Sequence, residues 1–550
     1  MFDNTKPNVI LIADDTDVIA MGNLLGPFKV AHILKKYGIE VAMINHASAL
    51  SFEEITAILK EIISDQTLLV GINNFYYASI ENIKQTNDGG IALTEIDPGS
   101  FLPHGKSKNI ELKNLIKSLN PCTKIVLGGP TAADREYNKD FDYIVLGYAE
   151  TAIIDLIDHL MTGCPIEKSF KSIYSPIVLT DKVASNYDFS VSHMSYDPDW
   201  SILPGSTFNL EVSRGCIFKC AFCAHPFTGK KKTDYIRSKE SIMSEMIDNY
   251  NKFGVTRYLI SDDTFNDSVE KCQMMYEISK KLPFKLEWWA YLRLDLLTAH
   301  PETIDYLFNS GLKAAFFGIE TLNPKAASMI GKGGNRTKLL KTVADIKAKW
   351  GDSVSLFGSF IYGLPEEDIV SMQETSDFLL SDDNKLDAWG VGVLHIRPTV
   401  QGDNGFISDI EKNYEKYGYR NIGEDEVSGG GDLQSFRQRH HIIWENKFTD
   451  YYSVLKMTDE LYNNRSKTKK LKIDGYDALR ISGLGIELDQ VLNKRIDEIP
   501  WNTLDQLRLK KVFEYKKLLA KNLNFDINII DMQILQYNTY GNYLKTRLSV

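Results

Sequence analysis

Short apolar strand patterns alternate with helical patterns along most of this chain, and that alternation constrains its fold more than any other feature. Between residues 206 and 400 it runs through six units, with strands predicted at 208–213, 256–261, 286–292, 314–319, 355–361 and 389–394. A connection that contains a helix is long enough to join parallel strands. The pattern therefore predicts a partial (β/α)6 barrel of the TIM type, with its site residues at the carboxyl ends of the strands.

The amino-terminal part of the chain shows the same alternation. Strands are predicted at 8–13, 40–45, 68–72, 124–127 and 143–146, with helical patterns between most of them. This order is typical of a doubly wound, Rossmann-like open sheet. The chain is therefore expected to be an α/β protein with a doubly wound domain at 1–165, a proline-punctuated linker at 166–205, the barrel at 206–400 and a helical carboxyl-terminal domain at 401–550.

Three of the six cysteines, Cys216, Cys220 and Cys223, fall within eight positions in the spacing CxxxCxxC. Thiolates bind iron and zinc, and an iron–sulfur cluster is normally held by four of them. Three ligands would leave one metal site open to a small molecule. Zinc completed by His225 stays as an alternative, whereas a disulfide framework is not expected in a long chain with so few cysteines.

The cysteine motif, with Phe222 just before its third cysteine, resembles the cluster motif of the radical S-adenosylmethionine (radical SAM) superfamily. The resemblance implies an enzyme with a [4Fe-4S] cluster on Cys216, Cys220 and Cys223, which would be both metal ligands and catalytic residues. It also implies that the fourth iron binds S-adenosylmethionine and that its cleavage releases a 5′-deoxyadenosyl radical.

Several predicted strand ends match the same family. The resemblance assigns S-adenosylmethionine contacts to Asp262, Asp263, Arg293, Glu320, Gly363 and Pro365, in addition to Phe222. Arg293 suits a carboxylate because its guanidinium is a planar fork of donors. Taken singly, each residue has another interpretation, since Asp often caps a helix and Gly–Pro pairs often only form turns.

The amino-terminal domain resembles the cobalamin-binding domain that precedes many radical SAM barrels. Gly128, Gly129 and Glu150 follow its fourth and fifth strands and are the predicted cobalamin contacts. The loop after the first strand departs from the family, because Thr16 and Asp17 stand where a cobalt-binding histidine is expected. The cobalamin motif is degenerate, so cobalamin binding stays open, and any bound cobalamin would lack a protein histidine ligand.

The predicted function is cobalamin-dependent methylation of an unactivated centre in a small-molecule or peptide substrate. The alternatives are a cobalamin-independent radical rearrangement or oxidation, and an iron–sulfur protein that only transfers electrons. The resemblance implies an external electron donor such as flavodoxin or ferredoxin. The remaining cysteines, Cys122, Cys164 and Cys272, are scattered singly, which disfavours a second cluster.

Charge and composition limit the classes of partner that this chain is expected to bind. The net charge of −10 argues against tight nonspecific binding to a nucleic-acid backbone. No apolar run approaches the roughly 20 residues of a membrane helix, and the start of the chain lacks a signal-peptide pattern. A cytoplasmic protein without membrane or nucleic-acid partners is expected. Basic and aromatic residues over 435–461 indicate either contacts with an anionic substrate or an amphipathic helix with an aromatic core face.

Overall fold

The computed structural model describes residues 6–13, 21–73, 84–85, 91–92, 105–128, 141–166, 169–171, 177–180, 189–224, 235–333, 335–398, 407–425, 441–465 and 472–526. Thr16, Asp17, Gly129 and His225 lie outside the described residues. Over the described ranges, no helix is both long enough and apolar enough to cross a membrane.

The amino-terminal part forms a doubly wound sheet. Its elements are β1 (Val9–Ile12), α1 (Leu25–Lys36), β2 (Val41–Ile44), α2 (Phe52–Ile62), β3 (Leu69–Asn73), β4 (Lys84–Gln85), β5 (Ile91–Ala92), α3 (Gly105–Leu119), β6 (Lys124–Gly128), β7 (Tyr143–Leu146), α4 (Ala152–Thr162), β8 (Ser169–Lys171) and β9 (Ile177–Thr180). The sheet order is β2-β1-β3-β6-β7-β9-β8, and within this sheet only β8 is antiparallel to its neighbour among the described strands. Strands β4 and β5 form a separate antiparallel pair. Strand β1 is apolar throughout and buried on both faces, as expected for a parallel strand between helices.

The middle of the chain forms the second sheet. Its elements are β10 (Phe208–Leu210), α5 (Lys239–Phe253), β11 (Arg257–Ile260), α6 (Val269–Ser279), β12 (Glu287–Leu292), α7 (Leu294–Ala299), α8 (Glu302–Asn309), β13 (Leu312–Glu320), α9 (Pro324–Met329), α10 (Arg336–Trp350), β14 (Ser355–Tyr362), α11 (Ile369–Leu380) and β15 (Ala388–Val393). The six strands are parallel and lie in chain order. The predicted fold class, an α/β chain with a doubly wound domain and a partial (β/α)6 barrel, is confirmed.

The rest of the chain covers both sheets. Its elements are α12 (Asp409–Lys412), β16 (Arg420–Asp425), β17 (His441–Glu445), α13 (Tyr451–Arg465), α14 (Gly475–Ser482) and α15 (Trp501–Leu523). Helix α13 covers the edge of β15, where the Tyr462 hydroxyl accepts from Val391 N–H at 2.9 Å and donates to Val391 C=O at 3.1 Å. Helix α15 returns to the amino-terminal domain, where Lys516 pairs with Glu54 at 2.8 Å.

Two sequence-based expectations differ from the structure. Strands β8 and β9 belong to the first sheet, although the segment 166–205 was expected to be a linker. These strands are three and four residues long, too short to give a clear alternating pattern. The carboxyl-terminal domain is not purely helical, because β16 and β17 form an antiparallel pair and β17 occupies part of the segment 435–461.

Candidate functional site

The three clustered cysteines lie on the loop that follows β10, at the carboxyl end of the barrel strands. Backbone hydrogen bonds hold this loop from two sides, since Ala221 N–H donates to Ile330 C=O at 3.0 Å and Ile410 N–H donates to Ala221 C=O at 2.9 Å. The loop is therefore fixed by segments that lie more than a hundred residues downstream.

The thiols have different surroundings. Cys216 is buried and its Sγ donates to Thr264 Oγ1 at 3.5 Å. Burial raises the pKa of this thiol, and the hydrogen bond with Thr264 opposes that effect. Cys220 is half-buried, and Arg293 Nη1 donates to its Sγ at 3.4 Å. A thiolate or an anionic cluster at Cys220 would thus be stabilised by a fixed positive charge.

Asp262 lies beneath the loop rather than on an open surface. Its oxygens accept hydrogen bonds from Val212 N–H at 2.8 Å, from Ser213 N–H at 2.9 Å and from Ser213 Oγ at 2.5 Å. Lys271, fully buried, lies 3.2 Å from Asp262 and 2.8 Å from Asp267. Asp262 therefore positions the strand end that leads to Cys216. Its predicted role in cofactor binding, which stays a prediction, would act through that loop.

Arg293 lies at the end of β12, between the cysteine loop and Asp295. Its Nε and Nη2 donate to the two oxygens of Asp295 at 3.0 and 2.7 Å. The guanidinium also lies 3.8 Å from the centre of the Phe218 ring. The side chain is buried and rigidly held, which suits a group that must keep a charge at one point.

Glu320 ends β13 with a left-handed backbone, φ 66°, a conformation that non-glycine residues rarely adopt. Its carboxylate is buried and lies 3.3 Å from Lys332 Nζ. Burial raises the pKa of Glu320, while Lys332 and, more distantly, Arg293 oppose that effect. Gly318 leaves room for the carboxylate, because a Cβ there would lie 2.5 Å from Glu320 Oε1.

The turn from Gly363 to Pro365 follows β14 and is buried under the carboxyl-terminal domain. Gly363 has φ 82°, and a Cβ at this position would lie 2.5 Å from the Trp444 ring. The Tyr419 hydroxyl donates to Gly363 C=O at 2.7 Å. Trp444 and Tyr419 thus fix the turn that the sequence assigns to S-adenosylmethionine binding.

A second site lies at the carboxyl ends of the strands in the amino-terminal domain. It is a cavity of about 310 Å³, lined mainly by apolar groups of β1, β3, β6 and β7, the start of α1 and the segment 147–150. A Cβ at Gly128 would meet nothing within 4 Å, so the strand end borders open space. Among the described residues that line the cavity there is no histidine.

An ion cluster joins this cavity to the cysteine loop. Arg214 Nη2 donates to Glu150 at 2.5 Å and to Glu211 at 3.0 Å, and Lys29 also contacts Glu211. Glu150 and Lys29 line the cavity, and Arg214 stands two residues before Cys216. Burial, with Arg214 nearby, lowers the pKa of Lys29 to about 7 despite its contact with Glu211.

The residues present fit the groups that the sequence implies. Three thiol donors on one loop suit iron–sulfur chemistry, and an apolar cavity with an open glycine edge suits a large flat ligand. Within the described part of the chain, no three His, Cys, Asp or Glu side chains converge closely enough to hold a single metal ion. His225, the fourth ligand of the zinc alternative, lies outside the described residues.

Sequence reasoning assigned no role to Lys29, Arg214, Lys271 or Glu367. None of them belongs to a motif, and their burial follows from how the surrounding elements pack. Of these four residues, only Arg214 could have been singled out from the sequence, because it lies two residues before Cys216. The structure brings Cys216, Cys220, Arg293 and Glu320 into one electrostatic neighbourhood. It places Asp262 below them and Gly128 and Glu150 in the separate cavity.

Comparison with known proteins finds a family match over the barrel segment. Residues 210–379 match the family model of the Radical SAM superfamily. That range contains all three clustered cysteines and ends within α11.

Two curated relatives are similar over about half of this chain. An uncharacterized methyltransferase of Pyrococcus horikoshii is 24% identical over 48% of this chain and 59% of its own length. A bacteriochlorophyllide d C-12(1)-methyltransferase of Chlorobaculum tepidum is 23% identical over 47% of this chain and 55% of its own length. The chain thus spans less than two thirds of the length of either relative.

A solved structure shares the fold of nearly the whole chain. It is the radical S-adenosylmethionine methyltransferase TsrM from Kitasatospora setae, with cobalamin and a [4Fe-4S] cluster bound. The TM-score is 0.57 at 13% identity, covering 92% of this chain and 99% of TsrM.

Proposed function

We propose that this chain, whose residues 210–379 match the Radical SAM superfamily, is an enzyme that methylates an unactivated centre of a small molecule or a peptide with the help of cobalamin. Both curated relatives are named methyltransferases, and TsrM, which has the same fold, was solved with cobalamin and a [4Fe-4S] cluster.

The observation that carries the proposal is the ion cluster between the two sites. Arg214 is bonded to Glu150 at the wall of the cavity and lies two residues before Cys216. The cavity and the cysteine loop are therefore neighbours in a fixed arrangement. A reaction that needs one group in the cavity and another on the loop requires such an arrangement.

The residues of the loop and the barrel have distinct proposed roles. Cys216, Cys220 and Cys223 would hold the cluster, which together with S-adenosylmethionine supplies a 5′-deoxyadenosyl radical when bound. Arg293 would orient the carboxylate of S-adenosylmethionine, and Glu320 its ribose or ammonium group. The remaining predicted contacts are Phe222, Asp263, Gly363 and Pro365. An electron donor such as flavodoxin or ferredoxin is the proposed partner.

The amino-terminal cavity is proposed to hold cobalamin, which would supply the methyl carrier. Gly128 and Glu150 would lie against the cobalamin. Gly129, which lies outside the described residues, stays a contact predicted from the sequence. His46 does not line the cavity and instead packs edge-on against Tyr515, with ring centres 4.9 Å apart. This supports a cobalamin site without a ligand from that histidine.

The cluster is tested by reconstituting the chain and its single Cys→Ala variants at 216, 220 and 223 with iron and sulfide. Wild type should bind about four irons and form 5′-deoxyadenosine from S-adenosylmethionine and dithionite. Each of the three variants should lose both properties, whereas Cys164→Ala, exposed and remote, should keep them. Full iron binding without 5′-deoxyadenosine would instead support an electron-transfer protein.

Cobalamin is tested at Gly128 in protein purified from cobalamin-supplied cells. Gly128→Ala should retain the corrinoid, since a Cβ meets open space, whereas Gly128→Leu should fill the cavity and lose it. Iron content should be equal in both variants. A wild type that forms 5′-deoxyadenosine but holds no corrinoid would exclude the cobalamin-dependent reaction in favour of cobalamin-free radical chemistry.

A further inference from the structure

We propose that the substrate presents a planar aromatic or conjugated ring to the barrel interior, where Tyr291, Phe316 and Phe357 form an aromatic floor. This inference rests on the proposed function and names the class of its substrate. It is carried by the order of side-chain layers inside the barrel.

One face of the barrel sheet is open and the other is covered. Along β14 and β15, buried residues alternate with half-buried ones, and the upper part of β13 does the same. The fully buried face lies under the outer helices, because Trp288 Nε1 donates to Ser310 C=O at the end of α8 and Tyr362 contacts Ser376 of α11 at 2.8 Å. The half-buried face therefore lines the barrel interior.

The aromatic floor is one continuous level of that inner face. Tyr291 pairs in register with Phe316, and Phe316 with Phe357. The ring centres of Tyr291 and Phe316 are 4.8 Å apart, and those of Phe316 and Phe357 are 4.7 Å apart with only 21° between their planes. Tyr291 nevertheless remains 41% exposed. Tyr291 is thus the accessible ring of the floor, and the half-buried Phe316 and Phe357 extend its apolar surface.

The level below the floor is closed. Trp289 is buried there beside Ala314, its partner in register. Helix α14 packs directly beneath, so that a Cβ on Gly475 would lie 2.3 Å from Ala314 Cβ and 2.7 Å from Ser355 Cβ. Within the described part of the chain the floor is therefore closed from below, and a ligand would approach it from the carboxyl ends of the strands.

The level above the floor is made of small residues. Gly318, Ser359 and Gly390 pair in register on three neighbouring strands. Next above them on β13 is Glu320, and Arg293 ends β12. This level adds no large side chain of its own between the aromatic floor and the groups proposed to bind S-adenosylmethionine, and above Gly318 the space is taken by the Glu320 carboxylate and the Lys332 ammonium.

A flat ring fits the aromatic floor better than a saturated or anionic group does. Aromatic rings gain from stacked or edge-on contact with other rings, in addition to the burial of their area. None of the three floor residues carries a formal charge, so the floor offers no ion pair to an anion, whereas its ring faces can attract a cation as well as another ring. The ring could belong to a free small molecule or to an aromatic side chain of a peptide, and the recognition chemistry is the same.

The test uses three probes on the reconstituted protein with S-adenosylmethionine bound: indole, N-acetyl-tryptophanamide and N-acetyl-cyclohexylalaninamide. Binding is measured by ligand-observed NMR titration. We expect the aromatic probes to bind and the saturated probe to bind clearly more weakly. Stronger binding of indole would indicate a free ring, and stronger binding of the amide would indicate a peptide side chain.

Variants of the three floor residues test whether the probes bind at the aromatic floor. Tyr291→Leu, Phe316→Leu and Phe357→Leu should each weaken the aromatic probes roughly threefold to tenfold. Phe448→Leu, a matched change at an exposed ring, should not. Unchanged iron content would show that the floor variants fold. Equal affinity for saturated and aromatic probes, no binding of any probe, or floor variants equal to wild type would each overturn the inference. If the wild type still forms 5′-deoxyadenosine and holds corrinoid in such a case, the proposed function stands while the substrate class fails.

Discussion

At the scale of single residues, Glu367 is a buried carboxyl whose proton is tied to folding. Thr321 Oγ1 donates to one of its oxygens at 2.5 Å, and Leu364 N–H donates to the other at 3.1 Å. Burial outweighs these hydrogen bonds and raises its pKa to about 7, above the ordinary value of 4.5. The folded protein therefore holds this proton more tightly than the unfolded chain does. The stability that results is fully present below the unfolded pKa and is lost as the pH rises to about 7.

We expect Glu367→Gln to remove this pH dependence, because an amide does not titrate. Between about pH 5 and about pH 8, wild type should lose up to about 3 kcal/mol of unfolding free energy relative to the variant. Urea unfolding at several pH values measures the difference. Glu374→Gln, an exposed partner of Arg336, should follow the wild-type profile. Parallel profiles for wild type and Glu367→Gln would contradict the assignment.

At the scale of elements, the turn after β14 depends on the carboxyl-terminal domain. Trp444 of β17 lies against Gly363, so the turn packs directly on the β16–β17 pair. Gly418 offers a matched comparison, since its φ of 87° is similar but a Cβ there would meet nothing within 4 Å. Comparing alanine variants at the two glycines therefore distinguishes the cost of the left-handed backbone from the cost of overlap with the Trp444 ring.

Gly363→Ala and Gly418→Ala should both lose roughly 1–2 kcal/mol of stability from the left-handed backbone. Only Gly363→Ala should lose about 1–3 kcal/mol more, because its Cβ overlaps the Trp444 ring. It should also weaken S-adenosylmethionine binding, which equilibrium dialysis of the reconstituted protein measures. Equal stability losses in the two variants would show that Trp444 can move aside.

At the scale of the whole molecule, the two sheets are joined by buried charges. The Arg214 side chain is 11% exposed, and its partners Glu150 and Glu211 are 5% and 7% exposed. One partner belongs to the amino-terminal domain and the other to the start of the barrel. Removing the cation would leave two buried carboxylates without it, which is costly even where an intact buried pair adds little net stability.

Arg214→Ala should therefore destabilise the protein by about 3–5 kcal/mol. Hydrogen exchange should speed up in both the 147–150 and the 211–216 segments, since the cluster ties them together. Arg420→Ala removes an exposed pair with Glu445 and should cost no more than about 1 kcal/mol. Faster exchange confined to one of the two segments would mean that the cluster does not couple the domains.

The sequence by itself determined the order of strands and helices, the class of both sheets and the loop that carries the cysteines. These features depend on periodicity and spacing over a few neighbouring residues, and such local patterns can be recognised without knowing how the elements pack. The segment 143–146 was predicted at the observed limits of β7 for that reason. The short strands β8 and β9 were missed because three or four residues carry too little of the pattern.

Only the tertiary structure decided which polar residues support the site and which face it. Asp262 follows a barrel strand as the family pattern requires, yet folding places it beneath the loop, where it accepts hydrogen bonds from Ser213. The hydrogen bond from Lys271 to Ser213 and the one from Arg214 to Glu150 likewise join distant segments. His46 N–H even reaches the Tyr515 hydroxyl across 469 positions of the chain. Such contacts depend on how whole elements pack, and no local pattern encodes them.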